Sequence, residues 1–352
     1  MSFYMIPVEC LHVEQIGRIG NMYVLPAHTL SIGNIDEYLI NDEALADIFY
    51  NLEIDDFRKL KSICDFIGRY IIKDKSTYQR FSNCTFIVIE RDDCFDLQNE
   101  ENRIKLAENG IFIAQLVKPL LSFFILKDSD FKYTKYLPCR PGTTPFGERI
   151  YYIQDKYDIE LHPDLRSGIV KGLGIAYTYH TTDLDSKLYK QIFPHELNEV
   201  SGLIQSTLIM LVDSYYIEDR GLVYIFLMRI FEKLANPNKY IDFNKVKSKL
   251  LPGLTFAFHQ NENFPTKTIE QKNFKKRYHE LSDKLDHFQK IRSNLTHTGK
   301  SPFQSDEKLF IEDVQMMILF IQKYIDYLYH KNFKTIEDRD CYNTTIRNDY
   351  NF

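Results

Sequence analysis

Apolar residues follow two different rhythms along the chain. In the first half, short runs rich in β-branched and aromatic residues are bounded by turn formers: "NMYVLPAHTL" (21–30), "CTFIVIE" (84–90), "RIYYIQDKY" (149–157) and "GIAYTYH" (174–180). Such runs predict strands. Between them Phe57, Leu60, Cys64, Ile67 and Ile71 recur at steps of three and four, which predicts an amphipathic helix. From about Pro194 the rhythm becomes that of long helices. Leu203 to Tyr216 and Leu222 to Leu234 are apolar on most sides, and "IEDRG" supplies a short connection between them. A third helix is expected from about Thr268 to Leu295, and a fourth from about Asp306 to His330 after "GKSPFQ". The expected fold is an α+β N-terminal domain (residues 1–190) followed by an all-α helical bundle (191–335), with the boundary inside 185–193. Residues 336–352 hold few apolar side chains and read as a poorly ordered polar tail.

The third helix carries the candidate chemistry. Its apolar stripe is Phe274, Tyr278, Leu281, Leu285 and Phe288, and the same rule next selects Arg292 and then Leu295. An arginine on a core-facing seam needs a partner there, because its head group is costly to dehydrate. His297 follows five residues later, which on an ideal helix is about 140° around the axis. Gly299 and Pro302 are helix-ending signals, so the backbone is expected to leave helical geometry near His297 and to let the imidazole turn toward the guanidinium. Arginine can grip phosphate oxygens with two parallel hydrogen bonds, and histidine moves protons near neutral pH. An ordinary helix C-terminus with cationic side chains at the negative end of its dipole accounts for the same spacing.

Composition narrows the function classes. With 44 Lys and Arg against 49 Asp and Glu, the chain has a net charge of -5, which excludes broad nonspecific coating of nucleic acid. The segment from Thr266 to Lys300 is the local exception, with nine Lys or Arg and four Asp or Glu, a difference of +5. A solvated helical face explains part of this surplus, and a local contact with RNA is compatible with it. Residues 1–30 show no signal-peptide pattern, and the apolar tract 110–126 is interrupted by Gln115, Lys118 and Pro119. A soluble cytoplasmic protein without a membrane segment is therefore expected. The six cysteines have irregular separations and no C-x-x-C, which reads as buried free thiols, with neither a metal knuckle nor a disulfide framework. "HELNE" (195–199) lacks the second histidine of a zinc-protease motif and reads as a helix start. "KGLGIAY" lacks phosphate-loop spacing, and Asp183 and Asp185 read as a surface turn.

"FQKIRSNLTHTGK", at the end of an amphipathic helix in a helical region, resembles the signature of the HEPN superfamily: an arginine, a polar residue, a few further positions and a histidine. The upstream segment "GLVYIFLMRIFEKLAN" is similar to the family's other hallmark, an apolar helix with one acidic residue, here Glu232. The resemblance covers about residues 194–332, and the abortive-infection and toxin-like branches look closest. It implies an all-α bundle of two helical hairpins, a symmetric homodimer, and a metal-independent endoribonuclease that needs no cofactor. It further implies Arg292 on the scissile phosphate and His297 as general acid or base, with Ser293, Asn294 and Glu232 in support. The family commonly has Asn, Asp or His after the arginine, whereas Ser293 stands here with Asn294 next. Glu232 also reads as the intrahelical partner of Arg229. Antiviral defence or growth arrest by RNA cleavage would follow, with the N-terminal domain sensing a trigger or partner protein. The alternative implied by the same resemblance is a HEPN-like module that dimerises or binds RNA or a nucleotide without cleaving it.

Overall fold

The computed structural model describes residues 2–9, 11–13, 16–19, 22–26, 49–50, 63, 84–96, 98–127, 142–144, 147–148, 150–154, 157–161, 177–179, 198–217, 219–259, 268–299, 303 and 307–350. The chain divides into two compact units, Met1–Ser129 with Thr134–Tyr189, and Asp130–Tyr133 with Lys190–Phe352.

The first unit contains β1 (Ser2–Glu9), β2 (Leu11–Val13), β3 (Ile16–Ile19), β4 (Met22–Pro26), β5 (Phe49–Tyr50), β6 (Cys84–Arg91) and helix α1 (Glu100–Lys127). These are followed by β7 (Thr143–Thr144), β8 (Gly147–Glu148), β9 (Ile150–Gln154), β10 (Tyr157–Leu161) and β11 (Tyr177–Tyr179). Seven strands form one sheet in the order β10-β9-β1-β6-β4-β3-β5, antiparallel except for the β3–β5 pair. Each of the four apolar runs contributes a strand. The sequence reading does not pick out β1, which lies near the middle of the sheet and contains Pro7. Proline has no N–H for a ladder. Here β9 pairs only with Ser2–Met5, and beyond that point the Pro7 carbonyl accepts from Gly142 N at 2.8 Å. The helix expected around Phe57–Ile71 lies outside the described residues, apart from Ile63, which is buried. The apolar tract 110–126 falls inside α1, and no helix among the described residues is long and apolar enough to cross a membrane.

Among the described residues the second unit is helical: α2 (Glu199–Tyr215), α3 (Arg220–Ala235), α4 (Phe243–His259), α5 (Thr268–Thr298), α6 (Glu307–Lys331) and α7 (Ile336–Tyr350). The ends are written locally. Asn198 caps α2 in a reciprocal box with Ser201, so "HELNE" does lead into a helix. Asp219 accepts from Leu222 N at 2.8 Å to start α3. Gly299, at φ +64°, follows α5. Without tryptophan, the core relies on smaller rings: Phe320 meets Phe231, Phe258 and Phe288 edge-on, with centroids 5.4–6.5 Å apart.

Three expectations need correction. An additional helix, α4, lies between the second and third expected ones and carries Pro252 and Gly253 inside it. The tail is the ordered helix α7, whose inner stripe is Arg339, Asn343, Ile346 and Tyr350, all buried. Of the described cysteines, Cys84 is buried but Cys94 and Cys341 are exposed.

Candidate functional site

α5 carries the arginine and histidine that drew attention in the sequence. Its buried positions are Phe274, Leu281, Leu285, Phe288, Ile291 and Leu295, so Ile291 takes the centre of the seam and Arg292 flanks it, with 19% of its side chain exposed. The partner that a dehydrated guanidinium needs is present. Arg292 Nη1 lies 2.8 Å from Oε1 of Glu232, on α3, and the Glu232 side chain is only 5% exposed. Glu232 also accepts through Oε2 from Arg229 Nη1, one turn earlier on its own helix. Glu232 therefore forms the intrahelical pair and also faces the motif arginine. Gln289 Oε1 accepts from Arg292 Nη1 at 3.4 Å, while Arg292 Nε is buried with no hydrogen-bond partner among the described residues.

His297 is not brought to Arg292. α5 continues through Thr298 before Gly299 ends it, so the expected loosening near His297 does not occur. Within this last stretch Thr296 Oγ1 donates to the Arg292 and Ser293 carbonyls at 3.0 and 3.1 Å, and Thr298 Oγ1 donates to the Asn294 carbonyl at 2.7 Å, which satisfies the hydroxyls inside the helix. An unbroken helix keeps the two side chains about 140° apart. His297 is exposed in the last turn, Asn294 is exposed, and Ser293 is half-buried. One chain thus presents the arginine on a partly buried flank and the imidazole to solvent.

A second polar cluster went unnoticed in the sequence. Asp313, buried on α6, receives the Tyr224 hydroxyl at 3.3 Å, and His287 Nε2 lies 3.1 and 3.2 Å from its two oxygens. Burial pushes the Asp313 carboxyl above its ordinary range, while His287, Tyr224 and Lys284 pull it back down. Burial, followed by the charge of Asp313, pushes the Tyr224 phenol far up. The cluster joins three helices through residues far apart along the chain, so no local spacing could announce it. The nearest signal was the acidic residue interrupting the apolar run "VQMMILF" on its N-terminal side.

Among the described residues there is no group of three or more His, Cys, Asp or Glu side chains able to hold a metal ion. No protein-family model, curated protein or solved structure matches the chain.

Proposed function

We propose that the second unit is a HEPN-like bundle and that the protein is a metal-independent endoribonuclease of that type, acting in the cytoplasm in antiviral defence or as a growth-arresting toxin. The observation that carries this reading is the placement of Arg292: an arginine on the inner side of a basic amphipathic helix, held by a buried carboxylate from α3 and still carrying an unused N–H donor. In the reaction, the ribose 2′-oxygen attacks the adjacent phosphorus and the 5′-oxygen leaves. The products are a 2′,3′-cyclic phosphate and a 5′-hydroxyl. A histidine accepts the 2′-hydroxyl proton or supplies one to the leaving oxygen, and Arg292 stabilises the charge gathering on the phosphoryl oxygens. The nucleophile belongs to the substrate, so the chemistry does not call for a metal-activated water.

Because α5 keeps Arg292 and His297 on different sides, a working site would be completed by a second copy of the chain. In a two-fold dimer, His297 of one copy would serve the phosphate gripped by Arg292 of the other. The first unit would sense the trigger or bind a partner that restrains the bundle. The Arg292–Glu232 pair favours a second reading, in which the guanidinium is occupied and the bundle binds RNA or a nucleotide without cutting it. RNA cleavage in EDTA by the purified protein, lost in both Arg292→Ala and His297→Ala, supports the enzyme. Strict dependence on added Mg²⁺, or activity surviving both substitutions, overturns it.

A further inference from the structure

Arg292 is not alone at its carboxylate. Arg229 and Arg292 each use one Nη1, and they take opposite oxygens of Glu232, so two guanidiniums from different helices stand within a carboxylate's width of the same point. Two positive charges and one negative leave the trio at +1. Glu232 is buried, whereas 56% of the Arg229 side chain is exposed. The arrangement therefore opens to solvent on the Arg229 side. The Arg229–Glu232 pair is exposed only at its arginine end, and Arg292 already gives the buried carboxylate a partner, so its neutralisation does not depend on Arg229 alone. Each guanidinium has five N–H donors in a planar fork, and Glu232 engages only a fraction of them. Arg292 Nε is a further donor without a partner among the described residues. A surplus positive charge, two forks converging on one point and an unsatisfied donor together describe a receptor for a tetrahedral anion.

We infer that Arg229 is a second phosphate-binding arginine and that the Arg229–Glu232–Arg292 cluster takes one phosphodiester of an RNA strand. The identity of the strand rests on the ribonuclease reading. Glu232 sets the spacing of the two forks and limits the charge, so that the cluster is positive without the full repulsion of two unshielded guanidiniums.

The test is binding of a single-stranded 2′-O-methyl RNA oligonucleotide, which lacks the nucleophile and so separates binding from cleavage. It is run on the full chain at several salt concentrations beside titrations with inorganic phosphate. Arg229→Gln is expected to weaken oligonucleotide binding about 10- to 100-fold and to lower the slope of log affinity against log salt by about one. Glu232→Gln raises the cluster from +1 to +2 and is expected to tighten binding, the opposite of what loss of a merely structural carboxylate would do. Lys308→Gln, on an exposed position of α6, should change neither. Unchanged affinity and slope in Arg229→Gln overturn the inference. Loss of phosphate binding with oligonucleotide binding intact overturns its assignment to RNA. If Arg229-dependent binding is found but unmodified RNA is not cut, the ribonuclease reading fails and this one stands.

Discussion

Two corners of the helical unit each hold an inward-facing arginine, and they treat it differently. Where α3, α4, α6 and α7 meet, Arg339 is fully buried and extensively bonded. It donates to the last carbonyls of α3, Leu234 O and Ala235 O, and to Asp340, which in turn pairs with Lys249. Asn343, one turn on, accepts from Tyr327 and donates to the Lys249 carbonyl. Where α3 meets the end of α5, Arg292 shares one carboxylate with Arg229 and keeps an unsatisfied donor. A buried arginine whose donors close orphan carbonyls at a helix end is part of the scaffold. One left short of partners beside a half-exposed second arginine contributes less to the scaffold, and it is the one the proposed phosphate contact would use.

The largest effect should come from the closed corner. Arg339→Met keeps volume but strips donors from the end of α3 and leaves Asp340 with Lys249 alone. A loss of roughly 3–5 kcal/mol is expected in urea unfolding followed by circular dichroism. A loss under about 1 kcal/mol would erase the distinction between the corners. Gly253→Ala tests packing in the same place. A Cβ there would sit 2.8 Å from Tyr327 Cδ1 and 2.9 Å from Tyr324 Cε2, and both rings are buried and cannot swing into solvent. Overpacking of this kind costs about 1–3 kcal/mol. The open corner should respond less: Arg292→Gln leaves Glu232 with Arg229, so about 1 kcal/mol or less is expected in the same assay, alongside loss of RNA cleavage. If Arg292→Gln destabilises as much as Arg339→Met, Arg292 belongs to the scaffold and the functional reading loses its support.

The same contrast explains what could be read in advance. The helices that became α2, α3, α5 and α6 were legible because their buried residues are apolar and recur at the helical period. α7 was not, because two of its four buried positions are Arg339 and Asn343, whose burial depends on acceptors supplied by α3 and α4 and on the Tyr327 hydroxyl donated from α6. α4 was hidden by Pro252 and Gly253, and the glycine is there because the Tyr324 and Tyr327 rings leave no room for a side chain. β1 was obscured by Pro7, tolerated where β9 no longer pairs. At the site, the inward bias of Arg292 followed from periodicity, whereas the point at which α5 stops did not, because the helix runs through Thr298 to the positive-φ Gly299. That continuation keeps His297 from the place the glycine and proline suggested.

The smallest expected effect lies in the cluster that is paired but still penalised by burial. Asp313 has partners on two helices, yet burial outweighs them and holds its carboxyl above the ordinary range, so protonation is easier in the folded state than in the unfolded chain. The sign follows from linkage. A carboxyl with a raised folded pKa contributes stability below the unfolded value near ~4, and that contribution is lost as pH rises through the folded value. Relative to Asp313→Asn, which cannot ionise, the wild-type chain should therefore lose stability as pH climbs from about 4 toward neutrality. His287 enters the comparison because it pulls the carboxyl down. Repeating the pair in a His287→Gln background removes that charge interaction while Gln can still donate to the carboxylate. Without the imidazole to favour the charged form, the pH-dependent gap between the chain that keeps Asp313 and the one that also carries Asp313→Asn should widen. Melting temperatures across that pH range measure it, and a wild-type chain that gains stability over Asp313→Asn as pH rises would show that His287 and Tyr224 outweigh burial at this carboxylate.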